Sequence, residues 1–534
     1  MLYSTKMYNT GQDINISSER LLYHTMDGIS ASLDDLGIKI ASQVVEATEA
    51  EHHGGLLSYC ISPRPSLESA ESKSHIPYKN ILWVEPVTDD TGEVQNELEV
   101  TYAKASGKHS VKPTTLHVQI SNYKPNITST QELANYILSK AYKNHIIEPT
   151  VLVVINPHGG QGKAVKIYNS EVKPILRAAK AKITYQETNY HEHAVEIARD
   201  LDISKYDIIA CCSGDGIPHE IINGFFQRPD KGVEAFNKVA ISQLPCGSGN
   251  ALSLSTHGSN DAALATVHML KAMRTKLDLM AVTQGVGENA TTKLSFLTQC
   301  YGIIADADIG TEHLRWLGPM RFDLGVAQRV LNRSKYPCEL YVNFVTKSKQ
   351  DISAHFETHH RRVSSSASNL ESVSEEEDYV KLPTLTEENL QIKGPQLDES
   401  PPSSWVRIDD SIAKNINILY VGKMPYISND VQFFPAALPN DGYMDMILTD
   451  TNTSVLETTS ILMSLDKGLH VHNEKVHHAK ILSYRLVPKL PGHNHYISVD
   501  GESFPFEPLQ VEVLPGVLTG LLQGGNFVET CYSQ

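Results

Sequence analysis

Residues 151–163 read VLVVINPHGGQGK, an apolar run that ends in a glycine-rich loop. An uninterrupted run of Val, Leu and Ile is typical of a parallel strand that is buried on both faces of its sheet. The glycines allow backbone N–H groups to approach an anion closely, and the helical pattern that follows places a helix N-terminus at the loop. The stretch therefore predicts a strand, an anion-binding turn and a helix in succession.

Two familiar phosphate-binding motifs do not fit this loop. A Walker A loop has Ser or Thr after its lysine, where this chain has Ala164. A dinucleotide-binding fingerprint has a third glycine where this chain has Val165. Taken alone, the loop is explained equally well as a structural turn or as a phosphate site.

The same unit of strand and loop occurs twice more along the chain. The run YDIIACC is followed by SGDGIPHE at 213–220, and the run VAISQLP leads into PCGSGN at 245–250. Ligands of parallel sheets bind beyond the carboxyl ends of the strands, so the three loops are expected to converge into one phosphate site. Asp215, between two glycines, could accept a proton there, or it could simply cap a helix.

The chain divides into four parts by pattern. Apolar runs alternate with helical patterns over 150–283, which predicts an α/β nucleotide-binding domain with a parallel sheet. Residues 1–149 predict an N-terminal extension with a small β module. Strand-like runs over 284–356 and 405–528 predict an antiparallel β-sandwich. Residues 357–404 are rich in Ser, Glu and Pro, and this composition predicts a disordered insertion.

The bulk composition excludes some classes of function. The 534 residues have a net charge of −16, which argues against a nucleic acid partner, because neutralising phosphates requires a basic surface. No apolar stretch of about 18 residues is present, and no basic segment followed by an apolar one opens the chain. These features predict a protein without a transmembrane span that is either cytoplasmic or peripherally bound to a membrane.

The three loops also carry a resemblance to a known family. NPHGG, SGDGIPHEIING and LPCGSGNAL, in this order, resemble the signature blocks of the diacylglycerol-kinase catalytic fold. Within that superfamily the chain is similar to the sphingosine, or sphingoid long-chain-base, kinases of fungi. The closer marks are YGIIADAD at 301–308, RWLGPMRF at 315–322 and SVDGE at 498–502. The likeness extends over 150–356 and 405–528.

The resemblance implies a lipid kinase. Such an enzyme transfers the γ-phosphate of ATP, with Mg²⁺ held mainly through the nucleotide phosphates, to the primary hydroxyl of a sphingoid base such as sphingosine, dihydrosphingosine or phytosphingosine. Asp215 would be the general base. Because the substrate is a membrane lipid, the resemblance also implies peripheral association with the cytoplasmic face of the endoplasmic reticulum, Golgi or plasma membrane.

The resemblance further implies two sets of binding residues. The ATP set comprises Asn156, Pro157, His158, Thr188, Glu220, Gly247, Ser248, Gly249, Arg315, Arg321, Asp500, Gly501 and Glu502. The lipid set comprises Ser213, Gly214, Asp215, Gly216, Thr298 and Asp308. Asp500 is the candidate protein ligand for magnesium. Basic residues that the family has after Thr188 are replaced here by Tyr190 and His191.

A physical argument favours a cationic lipid over a neutral one. Asp306 and Asp308 would share one face if their segment is extended. A carboxylate that points into a lipid pocket is unfavourable unless a cation pairs with it, and a sphingoid ammonium would pair with Asp308. A neutral diacylglycerol would not supply this cation.

Other functions remain open from the sequence. The same chemistry could act on diacylglycerol or ceramide. A soluble NAD kinase also has a glycine-flanked acid, although the remaining blocks fit it poorly. A non-catalytic lipid-binding scaffold on a kinase-like fold would require a broken site, whereas every catalytic block is intact in this chain.

Overall fold

The computed structural model describes residues 29–41, 75–121, 127–143, 145–311, 320–369, 382–491 and 494–533. These residues form two sheets, one confined to the N-terminal part and one that runs through the rest of the chain. No helix in these ranges is long and apolar enough to cross a bilayer.

The N-terminal module is a sheet in the order β3-β2-β1-β6-β5-β4 with a helix packed on it. Its elements are β1 (Ile29–Leu33), β2 (Gly37–Ile40), β3 (His75–Pro77), β4 (Ile81–Thr88), β5 (Val94–Ser106), β6 (Ser110–Ile120) and α1 (Thr130–Tyr142). Leu98 and Val100, two apart on β5, point to one face and pack with Ile137 in a core of their own. The predicted small β module is therefore confirmed.

The parallel sheet predicted for the nucleotide-binding part is present, in the order β8-β7-β9-β10. Its strands are β7 (Thr150–Ile155), β8 (Lys182–Glu187), β9 (Ile208–Ser213) and β10 (Ala240–Pro245). Its helices are α2 (Gly159–Gly162), α3 (Ala164–Ile167), α4 (Lys173–Ala178), α5 (His193–Asp200), α6 (Gly216–Phe226), α7 (Val233–Lys238), α8 (Ala251–His257) and α9 (Ala262–Leu270). Every residue of β9 and β10 is buried, as a sheet covered on both faces requires.

The C-terminal part consists mainly of antiparallel strands, as predicted. They are β11 (Met273–Gln284), β12 (Thr291–Ser295), β13 (Thr298–Gly302), β14 (Cys338–Thr346), β15 (Val406–Arg407), β16 (Ile416–Gly422), β17 (Met444–Asp450), β18 (His477–Pro488), β19 (Ile497–Val499), β20 (Glu502–Phe504) and β21 (Leu509–Leu522). The helices here are α10 (Ile303–Asp308), α11 (Met320–Leu331), α12 (Lys349–Asn369), α13 (Asp410–Ala413) and α14 (Val455–Leu462). Strand β21 pairs in parallel with β10 and antiparallel with β11 and β18, so it joins the two kinds of sheet.

The prediction of disorder over 357–404 is wrong for the part of that range that the structure describes. Helix α12 continues through 357–369 after burying Ile352 and Phe356. Residues 382–404, which we call the strap, bury Leu385 and Leu390 in the core beside β9. Residues 370–381 lie outside the described part of the chain.

Buried polar groups hold the strap in place. Arg485 of β18 is 3% exposed, and its guanidinium donates hydrogen bonds to the carbonyl oxygens of Gln396 at 2.8 Å and Glu399 at 2.6 Å. Glu512 of β21 accepts the N–H groups of Lys393 at 2.5 Å and Gly394 at 2.7 Å. Hydrogen bonds to the strap backbone therefore supplement its two apolar anchors. A prediction from composition does not detect these hydrogen bonds.

Replacing Arg485 should release the strap. In Arg485→Ala the carbonyl groups lose their buried donor, and we expect unfolding to become easier by about 2–4 kcal/mol. Denaturant titration measures the loss, and limited proteolysis with mass spectrometry should find new cleavage within 382–404. Arg407→Ala is the matched control, because Arg407 is exposed and its ion pair with Asp410, at 2.8 Å, lies at the protein surface. Identical cleavage patterns for the two variants would contradict the role of Arg485.

Candidate active site

The three glycine loops begin side by side, at the carboxyl ends of neighbouring strands of the parallel sheet. Ile155 at the end of β7 is paired with Cys212 of β9, and Ser213 at the end of β9 is paired with Pro245 of β10. Neighbouring strands lie about 4.8 Å apart, so the loops that follow share one small region. The predicted convergence of the three loops is confirmed.

The second and third loops touch through their backbones. A Cβ atom on Gly247 would lie 2.3 Å from the Cα atom of Gly214, and one on Gly214 would lie 2.9 Å from the carbonyl oxygen of Gly249. A side chain at either position would force the loops apart. The glycines are needed here for close approach rather than for an unusual backbone angle.

Asp215 lies in the space that these loops enclose. Its carboxylate accepts hydrogen bonds from the N–H groups of Ala251 at 3.1 Å and Leu252 at 3.3 Å, and from the side-chain amide of Gln243 at 3.2 Å. Burial raises the pKa of Asp215 to about 6, although these hydrogen bonds act in the opposite direction. A carboxyl group that titrates close to neutral pH is suited to proton transfer.

Two further carboxylates approach the N-terminal end of α6. A Cβ atom on Gly216 would lie 3.4 Å from Oε1 of Glu502, so Glu502 reaches this helix from β20. Glu220 accepts the N–H group of Ala194 at 3.0 Å, at the start of α5. Burial raises the pKa of Glu220, and the negative charge of Glu502 raises it further. The site thus gathers acidic groups from both the parallel and the antiparallel part of the sheet.

Asp500, the candidate magnesium ligand, is buried in a turn and hydrogen-bonded to neighbouring segments. Asp500 and Gly501 form the two-residue turn between β19 and β20, with φ angles of 53° and 86°, which is the pattern of a type I′ hairpin. The carboxylate of Asp500 points inward and accepts hydrogen bonds from Ser295 Oγ at 2.6 Å, from the N–H groups of Phe296, Leu297 and Thr298 at 3.1, 3.0 and 2.9 Å, and from Nδ1 of His219 at 2.8 Å. Five donors satisfy this carboxylate, so its role in the structure is to fasten α6 to β13.

The first loop and its neighbour Thr188 complete the edge of the site. Asn156 Oδ1 accepts the N–H group of His158 at 3.0 Å, which turns the chain into α2. The N–H group of Thr188, just after β8, donates to the carbonyl oxygen of Ile155 at 2.8 Å. Ser213 is buried and its hydroxyl donates to the carbonyl oxygen of Gly214 at 2.7 Å, whereas Ser248 is exposed on the third loop.

The candidate lipid residues Thr298 and Asp308 lie beside the C-terminal strands. The hydroxyl of Thr298 is 3.5 Å from the hydroxyl of Tyr420. Burial raises the pKa of Tyr420 well above its usual value, and the charge of Asp308 contributes to this rise. Both candidate residues therefore act on Tyr420, which places them in one neighbourhood.

The prediction that Asp306 and Asp308 share one face is wrong, because their segment is helical rather than extended. Both residues lie on α10, where positions two apart point in different directions. Asp306 is buried and accepts hydrogen bonds from the hydroxyl of Tyr336 at 2.7 Å and the N–H group of Tyr496 at 3.0 Å. Asp308 is half-buried and remains the candidate for the lipid head.

The side chains of the two candidate arginines, Arg315 and Arg321, lie outside the described part of the structure. Arg315 lies outside the described residues, and only the backbone of Arg321 is described, in α11. Within the described part of the chain, no cluster of three or more His, Cys, Asp or Glu side chains has the arrangement of a metal site.

Sequence reasoning missed the residues that connect α6 to the C-terminal strands. His219 and Asn223 are four apart and therefore share one face of α6. His219 contacts Asp500, and the side chain of Asn223 exchanges two hydrogen bonds with the backbone of Leu294, at 2.8 and 2.9 Å. The sequence contained one signal for this contact, because His219 lies one helical turn after Asp215.

Comparison with known proteins identifies the family. Residues 150–282 match the model described as the diacylglycerol kinase catalytic domain, residues 400–522 match a YegS C-terminal NAD kinase beta sandwich-like domain, and residues 35–143 match a domain of unknown function. Over 473 residues the chain is 43% identical to sphingoid long chain base kinase 5 of Saccharomyces cerevisiae, covering 81% of this chain and 68% of that protein. The chain belongs to the sphingoid long-chain-base kinase family.

Other members of the sphingoid long-chain-base kinase family show the same likeness. Sphingoid long chain base kinase 4 of Schizosaccharomyces pombe is 34% identical over 453 residues, which cover 85% of this chain and 89% of that protein. Sphingosine kinase 1 of Arabidopsis thaliana is 31% identical over 364 residues, which cover 66% of this chain and 68% of that protein. The matches confirm the predicted family and the predicted pairing of an α/β catalytic domain with a β-sandwich domain. Membership in a kinase family implies the use of ATP and, typically, of a divalent metal ion.

The contact between the glycine loops can be tested with a matched pair of substitutions. Gly247→Ala places a methyl group against the backbone of Gly214, and we expect a loss of about 1–3 kcal/mol of unfolding free energy. Gly159→Ala is the control, because a Cβ atom there would meet only ordinary contacts, the nearest at 3.6 Å. It should change stability by less than about 1 kcal/mol. Urea denaturation of both variants measures the difference, and equal stabilities would contradict the close contact.

Proposed function

We propose that this protein transfers the γ-phosphate of ATP to the primary hydroxyl of a sphingoid base such as sphingosine, dihydrosphingosine or phytosphingosine. The observation that carries the proposal is the burial of Asp215 between two touching glycine loops, in a chain whose named relatives are sphingoid base kinases. Residues 150–283 would bind the nucleotide, and residues 284–356 with 405–528 would bind the lipid.

The phosphates of ATP would lie against the three loops. Helix α6 begins at Gly216, directly after the second loop, and a helix N-terminus has the partial positive charge that favours phosphate. Asn156, Pro157, His158 and Thr188 would contact the nucleotide from β7 and β8, and Gly247, Ser248 and Gly249 from β10. Arg315 and Arg321 would add guanidinium groups, whose planar fork suits phosphate oxygens.

Magnesium would be held mainly by the nucleotide phosphates. The described residues offer no closed cluster of protein ligands, whereas Glu220 and Glu502 provide negative charge beside the N-terminal end of α6. The ion, when bound, neutralises charge on the transferred phosphoryl group. Asp500 would serve this site indirectly, because its turn positions Gly501 and Glu502.

Asp215 would accept the proton of the lipid hydroxyl. Phosphoryl transfer depends mostly on positioning and charge stabilisation, so the base must be fixed and must be ionised at the working pH. Three hydrogen bonds fix the Asp215 carboxylate, and its pKa of about 6 leaves it largely ionised at pH 7. Ser213, Gly214 and Gly216 would line the path of the hydroxyl group to this carboxylate.

Replacing Asp215 by Asn should lower turnover by about 10²–10⁴-fold while the protein remains folded. In the unsubstituted enzyme, kcat/KM for the lipid should rise with pH and level off above about pH 6, because below that pH the carboxyl is protonated and cannot accept a proton. Radiolabelled ATP and dihydrosphingosine in detergent micelles provide the measurement. Asp410→Asn, at an exposed carboxylate, is the control. Near-normal turnover of Asp215→Asn would remove Asp215 from this role.

Asp308 would pair with the ammonium group of the sphingoid base. Asp308→Ala should therefore lower kcat/KM for dihydrosphingosine by about 100-fold or more, the size expected when one partner of a buried ion pair is lost. Its activity on an N-acetylated base, which has no ammonium group, should change much less. A lipid panel that also includes diacylglycerol and ceramide measures both. An equal loss on charged and neutral lipids would contradict the assignment.

A further inference from the structure

The hairpin formed by β5 and β6 has its charges separated along its length. All six carboxylates of residues 75–121 fall between Glu85 and Glu99, whereas three of the four lysines in this range are Lys104, Lys108 and Lys112. Lys104 and Lys112 flank the turn of the hairpin, and Lys108 and His109 lie within that turn. One end of the hairpin is therefore acidic and the other basic.

The basic end contains a like-charge pair that the sheet itself does not favour. Lys104 and Lys112 are direct partners across β5 and β6, and both side chains are exposed. Like charges at opposite positions of an antiparallel pair destabilise it. Elsewhere on the same hairpin the cross-strand charges have partners, because Glu99 lies 3.2 Å from His117 and Glu97 accepts a hydrogen bond from Gln119 at 3.0 Å.

None of the three lysines forms an ion pair with any part of the chain that the structure describes. Among the described residues, nothing compensates their repulsion. An exposed cluster that lowers the stability of its own hairpin points to a partner outside the chain, because no contact with the described residues requires it.

The lysine pair lies on the face of the hairpin that is turned away from α4. Ala103 of β5 is buried in the same core as Ile175 and Leu176 of α4, and Lys104, its neighbour along the strand, points to the opposite face. Helix α4 therefore does not cover the basic end of the hairpin.

We propose that the basic surface, defined as Lys104, Lys108, His109 and Lys112, docks the protein on a bilayer that contains anionic phospholipids. This inference rests on the proposed function, since a kinase of sphingoid bases must take its substrate from a bilayer. A chain with a net charge of −16 is repelled by an anionic surface except where its positive groups face that surface. The basic surface is attracted to the anionic lipids while the rest of the chain is repelled by them, so the protein binds the membrane in one orientation.

The test measures binding and catalysis separately. The triple variant Lys104→Glu, Lys108→Glu, Lys112→Glu should bind vesicles of phosphatidylcholine with 30% phosphatidylserine about 100-fold more weakly, since each lysine near an anionic surface contributes about five-fold. Binding of the unsubstituted protein should fall in 0.5 M salt, because salt screens the attraction. Turnover of dihydrosphingosine in neutral detergent micelles should be unchanged in the variant, because these lysines lie outside the catalytic loops.

Two further variants serve as controls. Lys231→Glu, Lys467→Glu, Lys475→Glu changes the net charge equally at exposed lysines elsewhere and should keep vesicle binding. The single change Lys104→Glu replaces the repulsive pair with an attractive one, so it should weaken vesicle binding while raising the melting temperature of the protein. This opposition between binding and stability is not expected of a lysine with a merely structural role.

The possible outcomes separate this inference from the proposed function. Equal vesicle binding by the two triple variants, or tighter binding of the unsubstituted protein to an RNA oligomer than to the vesicles, would overturn the docking surface. An absence of lipid-stimulated ATP turnover in micelles, with intact vesicle binding, would instead overturn the kinase proposal and leave the docking surface standing. Loss of binding confined to the variants of the basic surface, with normal micellar turnover, supports both.

Discussion

Contact between the backbones of Gly214 and Gly247 sets the geometry of the whole candidate site. It brings the ends of β9 and β10 together so closely that Asp215 is enclosed by the loops and by the first turn of α8. Enclosure removes water from the carboxylate and raises its pKa, while the two N–H groups of α8 hold it in one position. The chemistry proposed for Asp215 thus depends on two residues that have no side chain.

Buried charges with several partners join the antiparallel strands to the catalytic part. Asp500 links β19 to α6 through His219, and Arg485 and Glu512 hold the strap. A third case is Lys423, which contacts Asp278 at 2.8 Å and Asp441 at 2.7 Å and so ties β16 to β11. Removing one partner from such a group leaves a buried charge uncompensated, which is more unfavourable than replacing the whole group by apolar residues. These buried charged groups therefore determine which segments pack together, in addition to stabilising the packing.

The sequence was informative where local pattern determines the outcome. Three apolar runs, each followed by glycines, were sufficient to predict parallel strands and the convergence of their loops, because strand polarity fixes where the loops lie. Long-range contacts were not predictable in this way. The inward direction of Asp500 follows from positive φ angles at a two-residue turn, and its five donors come from segments that a single sequence does not bring together.

The same distinction explains the two predictions that the structure overturns. The segment of Asp306 and Asp308 becomes helical because Gly302, at a φ of 112°, ends β13 and turns the chain into α10. In the strap, the polar composition was read correctly, but the backbone itself is the partner of Arg485 and Glu512. Composition measures what side chains can bury, and it contains no information about carbonyl and N–H groups that are captured by distant side chains.

Placing a general base in this enclosure has a consequence for stability. The folded protein binds the proton of Asp215 more tightly than the unfolded chain does, since burial moves its pKa from 3.8 to about 6. Between these values the folded state holds more protons, so the contribution of Asp215 to stability decreases as pH rises and is lowest at neutral pH, by roughly 3 kcal/mol. The ionised form is the one that accepts a proton from the lipid. Asp215 therefore contributes least to folding stability at the pH at which it accepts the proton. The hydrogen bonds from Gln243, Ala251 and Leu252 offset part of that loss.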